Sequence, residues 1–348
     1  MNNIKHKIIF AGCGDVAFKW LDHITKRNDC EIIAIAETNA QRATDRSKQY
    51  NLDCPIYGSV NEALKKERGN LLIDLTYVTA HRDVVISALK AGYDVLGEKP
   101  MAFDVRSANE MLLAAEKTGK RYILMQNRRY IKQVKQIREL VLSGTMGAPV
   151  MICGAIFVGA DLASIRNQLD YPQLQDNNIH MFDQARFMVG GYPETCYYHS
   201  FNPKGSQFAG DAAGVGIFEF DNGAVFTFRG IHSAEGCLTS WDHVWRISCE
   251  RGAIVWDGQN DAYYEYEHEI GKHQYKTGVI KKPEAVRDQH DAALEDLFDA
   301  LNTNRTPGTD CKDNIHSIAM VFASLKSIQE NRKVGIEINN SYPYIVLK

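Results

Sequence analysis

The sequence predicts an α/β protein: a doubly wound parallel sheet followed by an α+β domain with an open, mostly antiparallel sheet. Three observations carry this reading. Before about residue 128, six short apolar runs alternate with helix-like stretches, the pattern of a parallel sheet covered by helices. The first run leads into Gly12-Cys13-Gly14-Asp15-Val16-Ala17, a glycine-rich turn that opens a helix. After residue 128 the alternation gives way to hairpin signals, the clearest being Asn222-Gly223 between apolar strands. With 348 residues the chain is long enough for two domains, expected at 1–126 and 127–348.

The elements follow in order. Residues 7–11 are a continuous apolar run, as in a strand buried on both faces. A helix is expected from Ala17 to about Lys26, then a strand over Glu31–Ala36 ending in Glu37. Helices over Ala40–Tyr50 and Val60–Lys66 enclose a short strand at Pro55–Tyr57. Leu71–Leu75 is a strand ending at Thr76-Tyr77, and Ala80–Ala91 is a helix closed by Gly92. The strand Tyr93–Gly97 stops at Glu98-Lys99-Pro100. A helix over Val105–Lys117 and a strand over Arg121–Met125 complete this half.

A helix is then expected from Arg129 to Leu142 and a strand over Pro149–Phe157. Three hairpins follow, over 218–228, over Val244–Ser248 with Ala253–Trp256, and over Tyr263–Tyr266 with His273–Val279. Phe218, Phe220, Phe226 and Phe228 supply one apolar face, and Val215 and Ile217 part of the other. Such a sheet needs cover on both sides, so helices on one and a partner subunit on the other are expected. Helices over Glu284–Leu301 and Cys311–Asn331 and an edge strand at Val334–Ile338 end the chain.

Composition narrows the function. Hydrophobic residues make up 45% and charged residues 24%, with a net charge of −3. No electrostatic case exists for nucleic acid or an anionic membrane as partner. No stretch approaches the roughly 18 apolar residues that span a bilayer. Ile8-Ile9-Phe10-Ala11 is too short for the apolar part of a signal peptide. Eight cysteines without a C-x-x-C pair argue against a zinc ribbon or redox dithiol. They read as buried free thiols in a reducing compartment, so the expected location is cytoplasmic.

The chemistry concentrates in three stretches. G-x-G-x-x-A between a strand and a helix suits a dinucleotide. Gly12 permits the tight turn, Gly14 lets backbone approach a pyrophosphate, and the helix N-terminus attracts phosphate. Glu37 stands where an acid would hold the adenosine ribose hydroxyls and repel a 2′-phosphate, favouring NAD over NADP. Arg42, the competing residue for that phosphate, is expected in the next helix facing solvent. Lys99 is a compact cation on a flexible stem at the carboxyl end of a strand, where open α/β sheets bind ligands. Asp176-Asn177-Asn178-Ile179-His180 opens an amphipathic helix running to Val189. Asp176 reads as its N-cap, with His180 one turn on, and a carboxylate beside an imidazole suits a general base. Asp176 also reads as a plain cap and His180 as a core histidine. A metal reading, His180 with Asp176 and Asp183, lacks a second histidine or cysteine, and no metal is expected.

Taken together, these residues resemble the glucose–fructose oxidoreductase, inositol dehydrogenase and MocA (Gfo/Idh/MocA) family over nearly the whole chain. Gly12-x-Gly14-x-x-Ala17, Glu37, Thr76 with His81, Glu98-Lys99-Pro100 and Asp176-x-x-x-His180 carry the resemblance. It implies NAD(P)-dependent oxidation or reduction at a carbinol carbon of a sugar, cyclitol or related polyol. It implies catalytic roles for Lys99, Asp176 and His180, and a homodimer or homotetramer through the second domain's sheet. Cofactor contacts are expected from Gly12, Gly14, Asp15, Val16, Glu37, Thr76, Tyr77, His81, Glu98, Lys99 and Asn127. Substrate contacts are expected from Lys99, Arg128, Asp161, Arg166, Asp176 and His180. Trp241, His243 and Trp245 read as core more than pocket, and Arg128-Arg129 as a solvated pair unless the substrate is anionic. The sequence departs from the family at Tyr77, where proline is frequent, and at Leu174, Gln175 and Asn178, where glycines are usual. Asn178 tolerates a left-handed backbone. Two other functions keep the same residues: a glycoside-cleaving enzyme that holds NAD through oxidation and elimination, and a dinucleotide sensor.

Overall fold

The computed structural model describes residues 5–159, 167, 169–284 and 289–348. Two units emerge. One comprises Met1–Asn127, Arg287–Ile315 and Ser341–Tyr344, and the other Arg128–Val286, His316–Asn340 and Ile345–Lys348.

The first unit alternates strand and helix: β1 (His6–Ala11), α1 (Ala17–Ile24), β2 (Cys30–Ala36), α2 (Ala40–Gln49), β3 (Ile56–Tyr57), α3 (Val60–Lys66), β4 (Leu71–Asp74), α4 (Val78–Lys90), β5 (Asp94–Gly97), α5 (Val105–Thr118) and β6 (Tyr122–Leu124). The strands form one parallel sheet in the order β3-β2-β1-β4-β5-β6. Strand order reverses between β1 and β4, which opens a crevice at their carboxyl ends. The apolar runs are buried as expected for a covered parallel sheet: Ile8, Ile9, Phe10, Leu72, Ile73, Val95 and Leu96 are inaccessible. Asn39, Ser59 and Asp104 cap their helices by accepting from backbone amides, and Gly119 closes α5 in the left-handed conformation.

In the second unit, α6 (Lys132–Leu142) and β7 (Pro149–Phe157) precede α7 (Asn178–Val189). Then come β8 (Pro193–Phe201), β9 (Ala213–Phe220), β10 (Val225–Ile231), β11 (Val244–Cys249), β12 (Gly252–Trp256), β13 (Ala262–Glu269) and β14 (Gln274–Ile280). The chain ends with α8 (Gln289–Thr303), α9 (Cys311–Glu330), β15 (Val334–Ile338) and β16 (Ile345–Leu347). Ten strands form one sheet in the order β14-β13-β12-β11-β7-β10-β9-β8-β15-β16, antiparallel except at β7–β10. The three hairpins stand where their turn residues place them, with Gly223 at φ +81°.

Burial follows the two-residue period of the strands. Phe218, Phe226 and Phe228 surround the ring of Phe182 on α7 at 4.8, 6.1 and 5.6 Å. On the opposite face Val215 and Ile217 are exposed. Among the described residues, no helix is long and apolar enough to cross a membrane.

Four expectations need correction. Residues 127–348 do not all group together: α8 belongs with the first unit, because Phe298 stacks on His23 of α1 at 6.3 Å and lies under Arg27 at 4.4 Å. Val334–Ile338 is not the edge strand, since β16 pairs outside it. The segment to Val189 is not amphipathic, because α7 is buried nearly all round. Asp176 is not its N-cap. It sits inside a π-helical turn, Gln173–Asn177, and Asn177 precedes the helix without a side-chain cap.

Candidate active site

The first unit builds a cleft of about 540 Å³ at the switch point. Gly12, Gly14, Asp15, Val16, Glu37, Thr76 and Tyr77 all line it. Gly12 has φ +90°, and a Cβ there would lie 2.4 Å from the carbonyl oxygen of Leu75, so only glycine fits. A Cβ on Gly14 would meet nothing within 4 Å, leaving the turn open to a ligand.

Glu37 ties the ends of β1 and β2 together. Its Oε2 accepts from the Cys13 amide at 2.8 Å, and its Oε1 from the Asn39 amide at 2.9 Å and the Thr38 hydroxyl at 3.2 Å. Burial pushes this carboxyl up, but the amides of Asn39 and Cys13 and the Thr38 hydroxyl outweigh it, so it lies below the usual range. Arg42 is exposed in α2, yet it also lines the cleft beside Glu37 and does not simply face solvent. These residues fit a dinucleotide: a glycine turn open to phosphate, a helix N-terminus behind it, and a carboxylate at the end of the second strand.

The remaining expected cofactor residues stand off the cleft lining. His81 is buried, with its two ring nitrogens 3.0 Å from the Thr76 carbonyl and 3.1 Å from the Pro100 carbonyl. It joins the Thr76 turn to the loop that carries Lys99. Glu98 is buried, accepts from the Trp20 indole at 2.9 Å and lies 3.2 Å from the Lys99 amide. Both residues shape the backbone around the half-buried Lys99. Asn127 donates to Gln289 at 3.2 Å.

In the second unit a polar cluster surrounds the π-turn. Arg128 is largely withdrawn from solvent, its side chain 12% exposed, and is not a solvated surface residue. Its guanidinium contacts the Trp241 carbonyl and lies 2.9 Å from His243 Nε2 and 3.7 Å from Asp242. Burial lowers its proton affinity, against the charges of Asp242 and Asp176. His243 is fully buried at φ +72°, with Nδ1 2.9 Å from Gln184 and Nε2 3.4 Å from Asn177. Burial, and then Arg128, hold its imidazole well below the usual range, so it is neutral at pH 7. Trp245 is core as well, whereas Trp241 is exposed. His180 is buried and Asp176 half-buried on the same segment. Asn178 donates to Tyr198 at 3.0 Å with φ −62°, so this backbone is right-handed and uses none of asparagine's left-handed tolerance.

Arg129, the other half of the expected solvated pair, is buried. It holds Asp183 through two bonds of 2.5 and 2.6 Å, and Ser317 donates to the same carboxylate at 2.6 Å. Asp183 is thereby committed to α7 packing, which removes it from a metal set. Among the described residues no group of three or more His, Cys, Asp or Glu could hold a metal. Asp161 and Arg166 lie outside the described residues. Sequence reasoning missed Asn177 and Gln184. Both are amides one helical turn from His180, a spacing that could have marked them.

Two family models cover most of the chain. Residues 6–126 match the NAD-binding Rossmann fold of the Gfo/Idh/MocA oxidoreductases, and residues 138–336 match their C-terminal α/β domain. The chain belongs to the Gfo/Idh/MocA oxidoreductase family. A myo-inositol 2-dehydrogenase of Thermotoga maritima is 21% identical over 95% of this chain and 98% of that protein. A 1,5-anhydro-D-fructose reductase of Ensifer adhaerens is 21% identical over 94% of this chain and 97% of its own. A solved oxidoreductase of Agrobacterium radiobacter, in complex with NAD+, L-tartaric acid and magnesium, shares the fold. Its TM-score is 0.83 at 19% identity, over 95% of this chain and 98% of that one. The glycine turn, Glu37 and Thr76 described above therefore belong to an NAD-binding Rossmann domain.

A carboxyl held below its unfolded value stabilises the fold above that value and loses this as pH falls through the folded one. With an unfolded glutamate near about 4.3, Glu37→Gln should flatten the fall in thermal stability between about pH 5 and pH 3. Equal slopes for wild type and variant in thermal unfolding would contradict the assigned Glu37 bonds.

Proposed function

We propose that this protein oxidises a secondary alcohol carbon of a sugar, cyclitol or glycoside, with NAD as the preferred cofactor. The observation that carries this is the Glu98-Lys99-Pro100 turn at the carboxyl end of β5, in the same unit as the dinucleotide cleft. His81 links the two through backbone carbonyls of Thr76 and Pro100. Support for the substrate class comes from the family and from relatives whose names specify inositol and an anhydro-sugar. NAD over NADP is supported by Glu37, whose carboxylate repels a 2′-phosphate. NAD, when bound, supplies the hydride acceptor.

The chain's own residues handle the proton. His180 takes it from the reacting hydroxyl, as a general base near neutral pH. Lys99 stabilises the developing oxyanion with a charge-assisted hydrogen bond. Asp176 orients the imidazole or holds a neighbouring hydroxyl. Arg128, half-buried and within electrostatic reach of Asp176, positions the substrate's polar groups. Asp161 and Arg166 are further substrate contacts in this proposal.

The outer sheet face supports a homodimer or homotetramer. Tyr197, Val215, Ile217, Val255 and Tyr263 are exposed there, apolar side chains that a partner subunit would cover. Sedimentation should give a mass of two or four chains, and a monomer at micromolar concentration would exclude this assembly. We infer a cytoplasmic location for it.

NADH formation with inositols, free hexoses, sugar acids and glycosides tests the activity. Turnover with one class should fall by about a hundredfold or more in Lys99→Ala, while NADH still binds. Full activity in that variant would sink the mechanism. Glycoside cleavage without net NADH would favour oxidation, elimination and re-reduction by the retained NADH in its place.

A further inference from the structure

The first unit holds a buried polar cluster that the steps above do not use. Asp74 closes β4 with no solvent exposure. Its Oδ1 accepts from the Thr76 amide at 3.0 Å and from the Thr76 hydroxyl at 2.5 Å. Its Oδ2 has no hydrogen-bond partner among the described residues, and neither does the hydroxyl of Tyr122, which opens β6 and is fully buried. Two buried polar atoms left unmatched are costly unless they serve each other or a ligand site.

The sheet register brings these groups together. Asp74 stands opposite Gly97, and Val95 stands opposite Tyr122. Residues two apart on a strand share a face, and so do neighbours across a parallel ladder. Asp74, Gly97 and Tyr122 therefore point to one side of the sheet. Gly97 leaves the space that the tyrosine ring fills: a Cβ there would lie 3.1 Å from Tyr122 Cε2 and 3.6 Å from its hydroxyl oxygen. The ring leans across β5 toward Asp74. Burial first, and then the Asp74 charge, hold the phenol well above its usual range.

We propose that Asp74 is a positioning residue for the dinucleotide, fixing Thr76 at the cleft with Tyr122 closing the carboxylate from behind. A hydroxyl has a single proton. With that proton given to Asp74, Thr76 offers the cleft only acceptor lone pairs. The matching ligand group is a donor, either an amide N–H or a ribose hydroxyl of the dinucleotide. This inference rests on the cleft as an NAD site and is independent of which alcohol is oxidised.

The test is a titration of NADH, followed by nicotinamide fluorescence, into wild type, Asp74→Leu, Asp74→Asn, Thr76→Val and the Asp74→Leu/Thr76→Val double variant. Thermal unfolding of each protein without cofactor runs alongside. Leucine fills the carboxylate's place with an apolar group, and Asp74→Ala replaces it in the cycle if the leucine variant does not fold. Asparagine keeps an acceptor for Thr76 and gains a donor for Tyr122. The expected result is about tenfold weaker NADH binding in Asp74→Leu and in Thr76→Val. The double variant should bind no more weakly than either single one, and Asp74→Asn should stay within about threefold of wild type. Wild-type affinity in Asp74→Leu, or losses that add in the double variant, would overturn the proposal. A merely structural Asp74 would move the melting temperature and leave affinity unchanged. Wild type that binds NADH but oxidises no alcohol would refute the proposed function and leave this inference standing.

Discussion

The close approach of the Gly12 turn to the end of β4 is the constraint on which the cofactor half depends. With φ +90° and the Leu75 carbonyl 2.4 Å from where a side chain would begin, the turn has no room for any residue but glycine. That contact sets the end of β1 against the end of β4 at the point where strand order reverses. Glu37 then secures the other side of the turn by accepting from the Cys13 amide, and Asp74 secures Thr76. Two buried or nearly buried carboxylates thus hold the cleft walls through backbone amides, which do not swing as side chains do. A rigid acceptor framework of this kind pre-organises a site before the ligand arrives.

The second unit uses a different device. Its candidate residues are carried by a helix with almost no exposed face, held by phenylalanine packing on one side and by the Arg129–Asp183–Ser317 network within. A buried ion pair is weak evidence of net stability, because desolvation offsets much of the attraction. Its value here is register: it lets the helix dock in one way, which fixes where the π-turn presents Asp176. The π-turn itself inserts a residue ahead of the helix, as such bulges do at functional sites.

Much of the fold was legible because its signals are local. Six apolar runs, glycine turns, capping residues and an Asn-Gly hairpin each act within a few residues, and each element appeared close to where they placed it. That Gly12, Gly14, Glu37 and Thr76 line one cleft was legible for the same reason. What sequence reading missed depends on distant partners. Arg128 and Arg129 read as a solvated pair, yet Asp183, Trp241 and His243 bury them from far along the chain. The grouping of α8 with the first unit rests on Phe298 meeting His23 and Arg27, again a distant contact. Asp176 looked like a cap because spacing alone cannot separate an α-helical start from a π-turn.

In the proposed reaction, hydride leaves a carbinol carbon of a sugar-like substrate once the proton on its oxygen is removed. Incubating the protein with NAD and a polyol deuterated at that carbon, then reading the nicotinamide by mass spectrometry, tests it most directly. Deuterium should appear in the NADH, and the rate should fall with the label. NADH formed without the label, or no NADH from any sugar, cyclitol or glycoside by a protein that binds the cofactor, would contradict it.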